Sequence, residues 1–185
     1  HVLMKDFKLA FKRSVPVLIE YIVLGIGFGV IMATSGYHFL YSSSASLMIF
    51  AGAGEYVLAD LISTSASLLT IFFMSILINI RYAFYGLSFI KHGASWKWYE
   101  KALFFMTLPD ETYSILVANS LPSREDTKKH DLWLAGLNYS YWIIGSTLGA
   151  LLGSLPLDFT GVDFIMTALF VVILVDQLRK KENPR

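Results

Sequence analysis

Phe50-Ala51-Gly52-Ala53-Gly54-Glu55-Tyr56 and Leu108-Pro109-Asp110-Glu111-Thr112 decide how this chain is read. Each stretch sets an ionisable side chain directly after a helix breaker, inside apolar sequence. A carboxylate at bilayer depth is costly unless it faces a cavity or a partner, so it marks a functional position by default. Interrupted hydrophobic segments in corresponding places are the best sequence pointer to a transporter's binding site. The two stretches together predict a membrane protein that moves a solute between two broken helices.

Composition agrees with a lipid-embedded chain. The 185 residues are 55% hydrophobic and only 16% charged, with mean hydropathy +0.57, against about 25% charged in ordinary domains. Apolar runs cover 15–36, 64–90, 132–157 and 161–178. Each comes close to or exceeds the ~20 residues that cross the hydrocarbon as a helix. Gly25, Gly27 and Gly29 read as tight helix packing, not as a nucleotide loop, because no strand precedes them. Net charge is +1, which gives no basic field for nucleic acid. Cysteine is absent, which excludes disulfides and thiolate chemistry. His1, His38, His92 and His130 are scattered and form no metal spacing. No phosphate-binding loop, zinc-protease or nucleophile-elbow motif is present. Neither an enzyme nor a cofactor is expected.

Basic residues orient the chain. Lys5, Lys8, Lys12 and Arg13 put the N-terminus inside; Lys91, Lys97 and Lys101 do the same for the loop 91–101. Connections 37–43 and 156–163 lack basic residues and are expected outside. The basic arm precedes an apolar run too long for a signal peptide, so an uncleaved anchor is expected. Parity then makes 44–62 a re-entrant hairpin broken at Gly52-Ala53-Gly54, and 101–119 a second one broken at Pro109. Full crossings are expected at 16–36, 64–90, 131–155 and 161–178. The fold expected is all-α and polytopic, with about four transmembrane helices and two re-entrant hairpins. If the charge-balanced loop 120–131 lies outside, 101–119 is instead a Pro-kinked crossing helix.

Aligning Glu55 with Glu111 exposes a second match. Asn79-x-x-Tyr82-x-x-x-Gly86 and Asn138-x-x-Tyr141-x-x-x-Gly145 follow at 24 residues (55 to 79) and 27 residues (111 to 138). One transport domain over 1–185 with an inverted repeat, about 44–90 and about 101–155, would produce this pattern.

Each chemical residue has a plain reading and a functional one. Glu55, Asp110 and Glu111 in first helical turns complement helix N-termini. At mid-membrane they would instead hold an ammonium group or take up and release a proton, while bare N–H groups at the helix breaks receive a carboxylate. Gly52 and Gly54 let backbone approach a ligand. Arg81 is either an ion-pair partner of Glu55 or Glu111 or a headgroup anchor. Tyr82 and Tyr85 read as interface aromatics, and Trp96, Trp98 and Tyr99 as an aromatic belt. Asn138 reads as an interhelical hydrogen bond, Glu20 as a paired charge near the membrane surface, and Asp176 as a surface charge. The substrate-binding set expected is Gly52, Gly54, Glu55, Asn79, Asp110 and Glu111, and the ion- or proton-coupling set Glu55, Asp110, Glu111 and Arg81. Phe50, Phe84 or Leu108 would contact an apolar solute side chain.

Phe50-Ala-Gly-Ala-Gly-Glu-Tyr56, Leu77-Ile-Asn-Ile-Arg-Tyr-Ala-Phe-Tyr-Gly-Leu-Ser88 and Leu108-Pro-Asp-Glu-Thr-Tyr113 resemble the AzlC family of branched-chain amino acid permeases, in order along nearly the whole chain. The resemblance implies a secondary transporter in the bacterial inner membrane that exports valine, leucine and isoleucine, with proton coupling. It also implies a small membrane subunit of the AzlD type as partner. Two positions depart from the family pattern: Glu55 stands where Gln is common, and Pro109 where Thr is more usual. Family chains continue beyond the basic tail with further hydrophobic segments, so the resemblance implies a C-terminally shortened chain. A passive amino-acid or ion channel and a non-transporting scaffold for a partner subunit are the rival readings.

Overall fold

The computed structural model describes residues 2–89, 96–118 and 128–161, with five scattered positions beyond. Among these residues the chain is helical throughout, without strands. In order the helices are α1 (Val2–Thr34), α2 (Phe39–Met48), α3 (Ala53–Ser63), α4 (Leu68–Phe89), α5 (Trp98–Met106), α6 (Asp110–Ala118) and α7 (Lys128–Gly153). Two of them, α1 and α4, are long and apolar enough to cross a membrane. Most of the expected crossing at 161–178, the basic tail with Asp176, and most of the loop 120–131 lie outside the described residues.

The basic arm is not a separate segment. α1 runs unbroken through Pro16, although proline removes one N–H from the helix ladder. What holds the arm helical is its buried stripe. Asp6, Ala10, Ser14, Val17, Tyr21, Leu24 and Phe28 are all buried, at steps of three and four residues that keep one helix face inward. That face lies on α7, whose buried positions Leu134, Asn138, Tyr141, Gly145 and Gly149 follow the same spacing.

Glycines set how closely α1 and α7 approach. A Cβ placed on Gly25 would stand 2.9 Å from the Ser146 nitrogen, and one on Gly145 would stand 2.8 Å from the Tyr21 carbonyl oxygen. At Gly29 and Gly149 the added carbon would overlap the partner's backbone outright. Small residues at interval four on both helices permit this backbone contact, as in membrane helix pairs. The packing expected of Gly25 and Gly29 is therefore present, with Gly145 and Gly149 as its other half.

Around this pair the order short, short, long occurs twice: α2, α3, α4, then α5, α6, α7. The first break covers 49–52, where Phe50 (φ +44°) and Gly52 (φ +38°) both take positive φ. For phenylalanine that conformation is strained. The break comes earlier than the expected Gly52-Ala53-Gly54, and α2 begins earlier than residue 44, so part of the expected outer connection 37–43 is helix. α2 meets α7 through Ser43 and Thr147 hydroxyls (2.8 Å) at its start and through Tyr139 to the Leu47 carbonyl at its end. α3 starts beside Trp142 and ends near Thr34 and Ser35. Both short helices thus reach from the C-terminal end of α1 toward its middle.

The second break, 107–109, ends at Pro109, which cannot continue the ladder of α5. Glu100 at the start of α5 pairs with Lys128 at 2.6 Å, while Leu116 in α6 packs with Leu134 and Ala135. α5 and α6 therefore both lie toward the N-terminal ends of α1 and α7, and the chain reverses at the break. Trp96 departs from the aromatic belt expected of it: it is buried against Phe104 and Ala10. Trp98 and Tyr99 are exposed.

Candidate functional site

The two breaks meet at one cavity of about 610 Å³. Gly52 and Ala53 come from the first break and Pro109, Asp110 and Glu111 from the second; α1 contributes Val17, Glu20, Tyr21 and Leu24, α4 contributes Arg81 and Tyr82, and α7 contributes Trp142. The lining mixes charged and apolar groups. Glu20, Asp110 and Glu111 share the lining with a single guanidinium, Arg81. Val17, Leu24, Phe50, Ile115 and Trp142 supply apolar surface.

α4 ties both breaks together with two adjacent residues. Arg81 forms an ion pair with Asp110 and donates to the Tyr82 hydroxyl at 3.2 Å. Tyr82 in turn donates to the Ala51 carbonyl at 3.3 Å. The Arg81 Nε is buried without a hydrogen-bond acceptor among the described residues. Arg81 is thus the ion-pair partner that one sequence reading required, with Asp110 in place of Glu55 or Glu111. Tyr82 binds the break and does not stand as a free interface aromatic.

Glu111 accepts a 2.5 Å hydrogen bond from the Tyr21 hydroxyl. A hydrogen bond to a carboxylate is roughly twice as strong as a neutral one, so Tyr21 fixes the rotamer of Glu111 against the cavity. Thr112, the next residue, accepts from Asn138 Nδ2 at 2.9 Å. Asn138 makes the interhelical bond expected of it.

Glu55 has a different setting. Its side chain has no exposure and stands behind the cavity wall. It accepts from the Ser46 hydroxyl at 2.7 Å, from the Ala51 N–H at 3.1 Å and from Trp142 Nε1 at 3.0 Å. All three donors are built into the protein, so the carboxylate binds α2, the break and α7 to α3. Gly54 and Asn79 also stand off the cavity and meet each other. A Cβ on Gly54 would come 2.9 Å from Asn79 Oδ1, so glycine lets the Asn79 amide lie directly against the start of α3. Among the expected apolar contacts, Phe50 lines the cavity; Phe84 is exposed, and Leu108 is buried in a separate cluster with Phe104 and Leu134.

Glu20 is the largest departure from the sequence reading. It was expected as a paired charge near the membrane surface because the crossing helix was expected to begin at Pro16. In the continuous α1 it stands well inside the helix, on the face of Val17 and Leu24, and lines the cavity with Glu111. Sequence reasoning also passed over Tyr21 and Trp142. The signal for Glu20 was present, since an isolated carboxylate within an apolar run marks such a site. Tyr21 and Trp142 carry no signal apart from the fold that brings them here. Among the described residues no group of His, Asp or Glu has the arrangement of a metal site.

Comparison with known proteins places this geometry among relatives. The family model described as "AzlC protein" matches residues 16–155, which include both breaks and every cavity residue. A Helicobacter pylori membrane protein is 35% identical over 99% of this chain and 80% of its own length. The branched-chain amino acid transport protein AzlC of Bacillus subtilis is 32% identical over 96% of this chain and 70% of its own length. The inner membrane protein YgaZ of Escherichia coli is 26% identical over 93% and 73%. No solved structure matches.

Proposed function

This chain belongs to the AzlC family of membrane proteins, and on that footing we propose that it is a secondary transporter exporting branched-chain amino acids through the central cavity. The observation that carries the reading is the cavity itself: two helix breaks meet there, and carboxylates and a guanidinium share its lining with aliphatic and aromatic surface. A free amino acid has the complementary pattern of ammonium, carboxylate and side chain. Glu20 and Glu111 would receive the ammonium, Arg81 the carboxylate, and Val17, Leu24 and Ile115 the branched side chain. A cavity of about 610 Å³ lies within the ~300–1,000 Å³ usual for small-molecule sites. The name of the Bacillus subtilis relative supports the substrate class.

In this reading α1, α4 and α7 cross the bacterial inner membrane with the N-terminus inside, and a fourth crossing follows at 161–178. The pairs α2–α3 and α5–α6 are re-entrant from opposite faces, the halves of an inverted repeat. Interrupted backbone at membrane depth is tolerated only where protein buries it or a cavity borders it. A small AzlD-type membrane subunit is the partner proposed. Glu111 and Asp110 are the proposed proton-coupling groups. Surplus negative charge beside one guanidinium lets a proton and an ammonium compete for the same place.

Valine flux in proteoliposomes tests the proposal. The protein should accumulate labelled valine against its gradient when a pH gradient is imposed, and Glu111→Gln should abolish accumulation while still inserting. Conductance without accumulation would refute a transporter, and flux indifferent to the pH gradient would remove the proton from the mechanism.

A further inference from the structure

A second cavity of about 500 Å³ opens between the C-terminal end of α1 and the outer half of α3. It is lined by Ile31 and Thr34 from α1, by Ser35 just after it, and by Val57, Asp60 and Ser63 from α3. Among the described residues Asp60 is its only ionisable group apart from the Tyr56 hydroxyl, and it is exposed. Among the described residues Tyr56 alone lines both this cavity and the central one.

The wall between the two cavities is thin. Leu24 borders the central cavity and Ile31 the second, seven residues apart on α1, or about 10 Å of helix. That interval is filled by the Tyr56 and Phe28 rings, 5.9 Å apart, with Trp142 at 6.4 Å behind Phe28. A hydrogen bond from its hydroxyl to the Leu24 carbonyl at 2.6 Å holds the tyrosine closed. Tyr56 stands in the first turn of α3, beside the positive-φ residues of the break. A change of backbone angle there swings the ring without unravelling a long helix.

We infer that the second cavity is an outer binding site for the ammonium end of a small zwitterion, with Asp60 as its anion, and that Tyr56 closes it off from the central cavity. The inference rests on the transport reading for the identity of the solute, but not for the existence of the gate. Hydroxyls at Thr34, Ser35 and Ser63 give this cavity a polar, wettable mouth, whereas Ile31 and Val57 keep apolar surface for the solute's side chain. A solute leaving the central cavity past Tyr56 would meet Asp60 next.

The chain has no cysteine, so single introduced thiols report cleanly. Ser114 borders the central cavity. In Ser114→Cys, a charged, membrane-impermeant maleimide supplied from the side of the α1 C-terminus should react slowly. Adding Tyr56→Ala should raise that rate about tenfold or more. Tyr56→Phe keeps the ring and loses only the hydroxyl with its bond to Leu24 and its contact with the Phe28 backbone; it should raise the rate severalfold, and it answers the question if the alanine variant does not insert. Equal rates with and without the change at Tyr56 would overturn the gate. This readout needs no substrate, so it can succeed even if valine is not transported. For the outer site, capping Ser35→Cys with a bulky maleimide should lower valine flux about tenfold while equilibrium valine binding changes less than about twofold. Undiminished flux after full capping would overturn the outer site, and absence of valine flux before capping would instead count against the transport reading.

Discussion

Replacing Glu55 separates a charge that is used in transport from a carboxylate that holds the fold. The side chain is fully enclosed, and its two oxygens divide the work. Oε1 accepts from Ala51 N–H and Trp142 Nε1, and Oε2 accepts from the Ser46 hydroxyl. In Glu55→Gln the amide oxygen can take both N–H donors, and the amide nitrogen can donate to Ser46, whose hydroxyl turns to accept. Every bond survives without a charge, and the expected cost is about 1 kcal/mol or less. In Glu55→Ala the Ser46 hydroxyl can turn to a nearby carbonyl, but the backbone N–H and the indole N–H cannot. Each orphaned donor costs about 1–3 kcal/mol, so the alanine variant should lose about 2–6 kcal/mol. Relief from no longer burying a charge offsets part of this, which favours the lower half of the range. Thermal unfolding in detergent should place Glu55→Gln near the parent and Glu55→Ala several degrees lower. Valine flux should persist in the glutamine variant. If glutamine destabilises as much as alanine, or folds normally yet loses flux, the negative charge itself is required and the positioning role is wrong.

Two further outcomes follow from the packing. Gly149→Ala drives a methyl group into the Ile26 backbone, which has no flexible end to move aside, so it should cost about 1–3 kcal/mol or more. Gly136→Ala on the same helix meets nothing within 4 Å and should leave unfolding temperature unchanged or slightly higher; equal effects at both sites would refute the glycine contact. At the basic end, Glu100 accepts from Lys128 and from the Lys97 N–H at 2.8 Å, and these bonds hold its carboxyl below the ordinary carboxylate range. A lowered folded pKa means its stabilising contribution is complete above the unfolded value, about 4.3, and disappears as pH falls through the folded one. Glu100→Gln should therefore unfold earlier than the parent at pH 7, and the difference should close below about pH 4; a gap independent of pH would refute the pair.

The breaks were legible because glycine or proline beside a carboxylate, deep in an apolar run, is poorly compatible with one continuous lipid-facing helix. Pro109 ends α5 where the sequence put the interruption, and the first break falls within a few residues of Gly52. The register of α1 was not legible. Pro16 and four basic residues resemble a loop followed by a helix start, and only the surface of α7 turns Asp6, Ala10 and Ser14 into one buried stripe. That displaced start is what concealed Glu20. The partners of Glu55 were illegible for a related reason. A carboxylate near mid-membrane is equally compatible with a ligand and with three protein donors, and Ser46 and Trp142 lie 9 and 87 residues away. Spacing within a sequence reports helix faces, whereas the choice between those two roles depends on which distant side chain fills the remaining lone pair.

The division between Glu55 and the cavity carboxylates has a physical basis in what surrounds each one. Glu55 is held by neutral donors supplied wholly by the fold, so an added cation would have to displace a bond that nothing replaces. Glu111 accepts from Tyr21 and from its own backbone N–H, and it shares its cavity with Glu20 and Asp110, while among the described residues Arg81 supplies the opposing charge. Like charges in a confined space repel one another, and an arriving ammonium relieves that repulsion. On the proposed transport reading, this is why the cavity carboxylates can exchange partners during a cycle. Arg81 adds the mechanical side of the argument. It grips Asp110 at one break while its neighbour Tyr82 grips Ala51 at the other. A solute carboxylate that draws Arg81 from Asp110 would loosen the second break while the first stays tied through Tyr82. Loosening one break at a time is what alternating access requires of a site that two hairpins enclose.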